Sequence, residues 1–597
     1  MEYLQGIAVL LVALVVYKVY RLWGYVRAAK KTGFTYVVVP LLETEVVAQL
    51  ATLILRKLYT DQLDAGNGWP SWCRFMIKDW SWEDKRSAHE QYGDVFLVVS
   101  PAGIICYVAD ADVAWDVLNR RHDFTKPRDK YKILEPYGPN VATAEGSTYR
   151  FHLRITAPPF SDGSGANELV WQETARQTEL LADKWEHEAL ENVDDAINAL
   201  TLAVISFAGF GKKVVTSQGQ SRDVPAGYQI SFLQALSDVT KFMLQILVFP
   251  TWFLSLTPYA NAGLAKTQLE QYMKEMIRRE KASIETGKDT QTGPRGNLLQ
   301  SVMLASHHNS QSAATGKDDS LGRGFNESEV MGNLFIYLLA GYETTANAIA
   351  YGLITLALRP DIQARVAAEI DQVYEKAAAE GRKELDYSSD FPRLEYTYGF
   401  MYETFRLYPG VTLITKMCKT AQDLRAFDEA TGQTRTATLP AECRVYLSAP
   451  AIHYHPKYWP EPEELEPARW MRREWTKNQD APPAGKADRH VVAADKTRQM
   501  RGTLLTFSDG SRACLGRKFA QAEFIAFLAV LLRRFEVCFE PGVDVEQARR
   551  DLNFKSAGRV TLAPIDGFKL AVRKRVPGGS DGRPDEADVV SRRTRRD

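Results

Sequence analysis

Ten residues late in the chain, Phe507-Ser508-Asp509-Gly510-Ser511-Arg512-Ala513-Cys514-Leu515-Gly516, restrict the fold more than any other stretch. One cysteine is set between two glycines, which lack the Cβ atoms that would keep another group from the sulfur and which let the backbone turn tightly. Directly after it Phe519, Phe524, Phe527, Leu528 and Leu531 keep helical spacing, so the loop feeds a helix. A helix N-terminus points free amides at the preceding loop and favours a charged thiolate there. The other five cysteines, Cys73, Cys106, Cys418, Cys443 and Cys538, form no Cys-x-x-Cys pair and no zinc spacing. They read as small buried hydrophobes in a protein that faces a reducing compartment.

Further segments accompany that loop. Asn326-Glu327-Ser328-Glu329 has capping-box spacing and starts an apolar helix predicted to run to about Leu358, with Pro360 marking its end. In its middle lies Ala340-Gly341-Tyr342-Glu343-Thr344-Thr345; an Ala-Gly pair taken alone signals close helix packing. Glu403-Thr404-Phe405-Arg406 puts opposite charges on one helix face, which taken alone is a solvated ion pair. Arg469 follows in Glu466-Pro467-Ala468-Arg469-Trp470. Two more stretches are Gly146-Ser147-Thr148-Tyr149-Arg150-Phe151-His152-Leu153-Arg154 and the run from Leu407-Tyr408-Pro409-Gly410-Val411 to Lys416.

In this order the segments resemble those of the cytochrome P450 family, over about residues 80 to 575. The cysteine loop matches F-x-x-G-x-R-x-C-x-G at all five fixed positions, 340–344 is similar to A-G-x-[DE]-T, and 403–406 to E-x-x-R. The resemblance implies one mainly α domain with small β-sheets, and the β-rich runs around Pro101-Ala102-Gly103 and in Gly558 to Val572 agree with it. It implies haem (iron protoporphyrin IX) with Cys514 as the axial thiolate and metal ligand, Phe507 as a shield, Gly510 and Gly516 as close-approach positions, and Arg512 on a propionate. Tyr149 stands where the family has Trp, and Leu153 where an Arg commonly meets a propionate, with Arg150 or Arg154 as the expected substitute; Lys416 stands where the family commonly has another Arg and is expected to serve a propionate as a point charge. Thr344 and Glu343 are the implied proton-delivery pair, with Ala340 and Gly341 leaving room for ligand and dioxygen. Glu403, Arg406 and Arg469 form the implied buried triad that holds the cysteine loop.

The implied activity is insertion of one atom of dioxygen into an organic substrate. No Gly-rich dinucleotide fingerprint or flavin domain follows the loop, so electrons are expected from a separate NADPH-cytochrome P450 reductase, with Arg517 and Lys518 at its docking face. Ile133, Leu134, Val141, Phe335, Leu339, Val411, Leu413 and residues near Ala557 are the expected substrate contacts, and their apolar character points to a lipophilic molecule such as a terpenoid, polyketide, steroid or fatty acid. The insertions and anchor suggest fungal secondary metabolism. Rival readings are a haem-thiolate isomerase or dehydratase and a non-enzymatic haem-binding membrane protein.

Location is written at the start. Tyr3 to Tyr17 carries no charge, while Lys18, Arg21, Arg27, Lys30 and Lys31 follow, so residues 1–26 read as one retained membrane span with the body on the cytosolic side, at the endoplasmic reticulum. Residues 27–79 read as membrane-proximal, with a helix on the bilayer or the body in the stretch 36–55. The haem domain is expected at 80–575 and a disordered tail at 576–597. Lys plus Arg equals Asp plus Glu at 74 each, which excludes the global field a nucleic-acid binder uses. At 597 residues length alone suggests more than one domain, but anchor, polar insertions and tail account for the excess.

Overall fold

Two runs, β2 (Val95–Ser100) and β3 (Gly103–Val108), are apolar at almost every position, and the computed structural model explains why. They pair as an antiparallel hairpin in which Leu97, Val99, Cys106 and Val108 face the main helical core. Phe96, Val98, Ile105 and Tyr107 face a smaller aromatic cluster with Phe75 and Trp80. A strand covered on both faces loses its alternation. The structure describes residues 2–64, 68–187, 193–211, 224–286, 297–314, 323–428, 432–471, 501–556, 561–565 and 567–575. The polar stretch 472–500, the tail 576–597 and Ala557 lie outside the described residues.

The hairpin belongs to a six-stranded sheet ordered β1-β2-β3-β8-β5-β4, with β1 Thr35–Val38, β4 Phe124–Thr125, β5 Leu413–Cys418 and β8 Arg444–Ser448. β1 runs parallel to β2, and β3 parallel to β8. The strands β6 (Gln422–Asp428) and β7 (Gln433–Leu439) form a separate hairpin, and β9 (Phe535–Phe539) pairs antiparallel with β10 (Leu570–Lys574) across an intervening helix, Val545–Phe554. Among the described residues of the stretch 558–572, strand structure starts at Leu570, and Thr561 is instead bonded to the long helix, as described below.

Helices make the rest. The longest, Glu327–Leu358, has the anticipated capping box: Asn326 accepts from the Glu329 amide and the Glu329 carboxylate accepts from the Asn326 amide, both at 2.9 Å. It is buried along most of its length between Val193–Phe210 and the helix after the cysteine loop, Arg517–Arg534. Val193–Phe210 is apolar enough to cross a membrane, but 67% of it is buried inside the body. At the N-terminus one helix spans Glu2–Thr32, and its last turns pack on the core through Tyr25, Val26 and Ala29. The stretch 36–55 is divided: its first residues are strand β1, because Tyr36 and Val37 find partners along β2, and the helix begins only at Val46.

Candidate active site

The cysteine loop is held by its backbone. Gly510 has φ +65°, and a Cβ there would lie 3.2 Å from the Leu118 carbonyl oxygen, so this position requires glycine. Gly516 differs: its φ is −82°, and an added Cβ would meet only the Cys514 sulfur, at 4.0 Å. Its lack of a side chain leaves space beside the sulfur without being needed for the turn. The Cys514 amide donates to the Phe507 carbonyl at 2.8 Å. Cys514 is a free thiol that solvent reaches. Surrounding protein pushes this thiol above its ordinary value, opposed by the Gly516 amide and the Arg517 charge. Phe507 is buried, edge-on to Phe405 at 5.4 Å. Lys518 pairs with Asp162 on the neighbouring surface.

The long helix carries a second open position. Ala340 is exposed and Gly341 and Thr344 are half-buried, although the flanking residues Leu338, Leu339, Tyr342 and Glu343 are buried. An accessible strip at i and i+4 on a core helix means that a space opens inside the body at mid-helix. The Thr344 hydroxyl donates to the Ala340 carbonyl at 2.8 Å, which leaves its oxygen lone pairs for a group in that space. Gly341 does not serve as the room expected for a ligand. A Cβ there would come within 3.0 Å of Ile205, so its smallness admits the neighbouring helix. Glu343 is buried and accepts from both the amide and the hydroxyl of Thr561 at 3.1 Å; Asn347 in turn donates to that hydroxyl at 2.9 Å.

Three cations gather beside the cysteine loop. Arg512 pairs with Glu145 at 2.8 Å and stacks 3.3 Å over the Tyr149 ring, while the Tyr149 hydroxyl donates to the Ser511 carbonyl at 2.7 Å. Lys126 donates to the Ala142 carbonyl, and Lys416, on β5, is 3% exposed with no carboxylate partner among the described residues. Burial, then repulsion from Arg512 and Lys416, lowers Lys126 to about 7. Burial and then Arg512 lower Lys416 to about 8, and burial lowers Arg512 as well. Among the described residues, Glu145 is the one carboxylate that acts on all three, and the buried Nη1 of Arg512 has no hydrogen-bond partner. This excess of buried positive charge and the orphaned donor fit a dianion such as the two propionates of haem.

Arg150 and Arg154 are not part of this group. They lie i, i+4 on an exposed strip about 100° round their helix from Tyr149 and Leu153, the positions facing inward. Lys126, rather than either arginine, stands with Arg512 and Lys416. Its sequence signal was slight: a lysine before Pro127, two residues after Phe124.

Loading of haem tests the trio. Bound carboxylates would hold the lysines protonated, so binding takes up protons once pH exceeds about 7, the value for free Lys126. Thiol ionisation releases a proton and acts oppositely in every variant. Lys126→Met should therefore make haem affinity rise more steeply with pH above about 7 than in wild type, by up to about tenfold per pH unit, in titrations of apoprotein. Equal slopes would take Lys126 out of the site.

Behind the loop lies a buried ion pair. Arg406 donates twice to Glu403, at 2.9 and 2.8 Å, with both side chains fully buried. Its other hydrogen bonds go to the carbonyls of His453, Pro462 and Glu464. Glu403 also accepts from the Glu466 amide and the Trp470 indole, both at 3.0 Å, and Arg469 approaches it at 3.6 Å. His453, absent from the sequence reading, completes the link. Burial lowers it to about 3, so the ring is neutral. Because Nε2 accepts from the Leu505 amide at 2.8 Å, Nδ1 carries the proton and donates to the Arg406 carbonyl at 2.9 Å. The ion pair is thereby joined to the entry of the cysteine loop.

The expected substrate contacts separate. Ile133, Val411 and Leu413 line an open cleft of about 480 Å³. Phe335 and Leu339 are core residues at 0% and 4% exposure, with Phe335 against Tyr137 at 5.1 Å. Leu134 and Val141 also pack on the core, whereas Ala340 faces the internal space.

Comparison with known proteins places this geometry in context. A family model described as Cytochrome P450 matches residues 69–558. Cytochrome P450 monooxygenase prx9 of Penicillium rubens is 51% identical over 570 residues, covering 95% of this chain and 96% of the relative. Cytochrome P450 monooxygenase ORF6 of Penicillium roqueforti has the same identity and coverage. Among solved structures, the cytochrome P450DA heme domain superposes with a TM-score of 0.60 at 20% identity, covering 82% of this chain and 92% of its own.

Proposed function

The chain belongs to the cytochrome P450 family of haem-thiolate oxidoreductases, and from that premise we propose that it is a membrane-held monooxygenase acting on a lipophilic substrate in secondary metabolism. The observation that carries the proposal is the conjunction of a reachable cysteine, an excess of buried cations beside it, and a solvent-accessible strip in the middle of the long helix. Haem, when bound, supplies the iron at which dioxygen is activated, one atom entering the substrate and the other leaving as water with two electrons and two protons consumed.

The protein's part is to hold and deliver. Cys514 would hold the metal through its sulfur, with the buried Phe507 ring behind the loop. Arg512, Lys416 and Lys126 hold the propionates, and Glu403, Arg406, Arg469 and His453 keep the loop in register. Thr344 is the proton-handling hydroxyl at the open strip, and Glu343, the residue before it and clamped by Thr561, the acid behind it. Electrons are supplied by a separate NADPH-cytochrome P450 reductase, docking near Arg517 and Lys518.

A lipid surface accounts for the N-terminal region. Val9, Leu10, Val12, Val15, Val16 and Val19 are each more than half exposed on the first helix, and Val47, Leu50, Ile54 and Leu58 form one exposed face of the helix Val46–Leu58. Lys18 joins the two elements through Glu45 at 3.8 Å. We assign residues 1–26 to a single membrane anchor whose exposed apolar part enters the bilayer and whose end, at Tyr25 and Val26, rests on the body, with the body on the cytosolic face of the endoplasmic reticulum.

Turnover with a reductase tests the reading. Wild type is expected to consume oxygen with NADPH and to hydroxylate at least one member of a lipophilic panel, and Thr344→Ala to lower product formation about a hundredfold. No product across the panel would favour a haem-binding scaffold instead.

A further inference from the structure

The cleft of about 480 Å³ has two chemically different sides. Ile133, Val411 and Leu413 make one, next to β5, the strand that carries Lys416. Its inner end includes Thr561, which bonds Glu343 on the long helix. The other includes Glu43, Asp79 and Ser81, with Lys78 and Lys130 also in the lining. Ser81 is 1% exposed and its hydroxyl has no hydrogen-bond partner. Asp79 sits at φ +65°, and its carboxylate caps no helix and makes no ion pair among the described residues. Glu43 has Lys130 at 4.0 Å, while burial, together with the Asp79 charge, lifts it to about 7. Asp129, also in the cleft, is engaged by Arg444 at 2.6 Å.

A buried hydroxyl and a carboxylate without partners are costly where protein withdraws water, and groups left so in a cleft are those a ligand satisfies. Their chemistry selects the ligand. Of the charged groups in the cleft, Lys130 faces Glu43 and Asp129 is held by Arg444, so the carboxylate left to satisfy is that of Asp79, which accepts hydrogen bonds, and the missing group is a donor. We propose that this cleft binds the end of the substrate remote from the oxidised carbon, and that this end carries a hydroxyl or amine bonded to Asp79, Glu43 and Ser81. The apolar body lies along Ile133, Val411 and Leu413. The inference rests on the monooxygenase reading and narrows its substrate to an amphiphile with a donor end.

Matched probes with one alkyl chain decide it: 1-dodecanol, 1-dodecylamine, methyl dodecyl ether and dodecanoate, titrated calorimetrically into the haem-loaded full chain. The alcohol and amine should bind about tenfold or more tighter than the ether and the carboxylate, the ratio expected for a hydrogen bond to a charged group. Asp79→Asn and Ser81→Ala should each cut that preference to about threefold or less and leave ether binding unchanged. Asn tolerates positive φ, so the first variant keeps the backbone, and the second removes only an unpartnered hydroxyl. Tightening of the amine beyond the alcohol, lost in Asp79→Asn, identifies an ammonium; equal binding identifies a neutral donor. The inference is overturned if the donor-bearing probes do not bind, bind no better than the ether, or keep their preference in both variants. Oxygen uptake with NADPH and reductase separates the two failures: uptake without donor preference sinks this inference alone, and donor preference without uptake sinks the monooxygenase reading alone.

Discussion

Cys514→Ser is expected to keep a folded protein and lose its chemistry. The side chain is open to solvent and makes no hydrogen bond that the fold depends on, while the loop is held by the Cys514 amide on the Phe507 carbonyl and by Asp509 on the Gly510 and Gly502 amides. None of these needs sulfur, so apoprotein stability should change by no more than about 0.5 kcal/mol. A neutral hydroxyl cannot donate charge to the iron as a thiolate does. The reduced, carbon monoxide-bound protein should therefore lose the long-wavelength absorption band of a thiolate ligand, and reductase-supported oxygenation should fall by more than about a hundredfold, beyond what outer partners of a metal ligand usually cost. A variant that kept the band would place the axial ligand elsewhere and remove the basis of the functional assignment.

Arg406→Ala should act in the opposite way, through the fold. It leaves the Glu403 carboxylate fully buried and strips donors from three carbonyls, those of His453, Pro462 and Glu464. Breaking one half of a buried pair costs about 3–5 kcal/mol, because the remaining charge stays desolvated. Denaturant unfolding followed by tryptophan fluorescence should register that loss. The double variant Glu403→Ala/Arg406→Ala should lose less than the two single losses combined, since it strands no charge. Additive losses would mean that the two side chains stabilise the fold independently, against the bidentate geometry. Because His453 ties the Arg406 carbonyl to the Leu505 amide, the single variant should also weaken haem retention, although Arg406 touches no part of the cysteine loop itself.

Much of the framework was legible because its causes are local. The capping box at Asn326 follows from side chains reaching amides three residues away, and the end of that helix from Pro360. The hairpin follows from two apolar runs around a Pro-Ala-Gly turn. The glycine at 510 is legible for the same reason, since left-handed backbone belongs to the loop itself. By contrast, Phe335 and Leu339 read as substrate contacts, yet apolar residues on a long helix do not reveal which face meets the core and which the cavity. Gly341 posed the same ambiguity, settled by Ile205 of another helix.

By itself, then, the amino-acid order determined which loop presents the cysteine, which helix follows it, and which segments belong to one P450 body, because those depend on neighbours within a turn or two. Only the tertiary structure decided which cations stand together beside the cysteine loop. Lys126, Tyr149, Lys416 and Arg512 come from four separate segments, and Arg150 and Arg154, favoured by proximity to Tyr149, turn to another face. Charge acts through space, so the repulsion that lowers Lys126 and Lys416 exists only after folding has brought them beside Arg512.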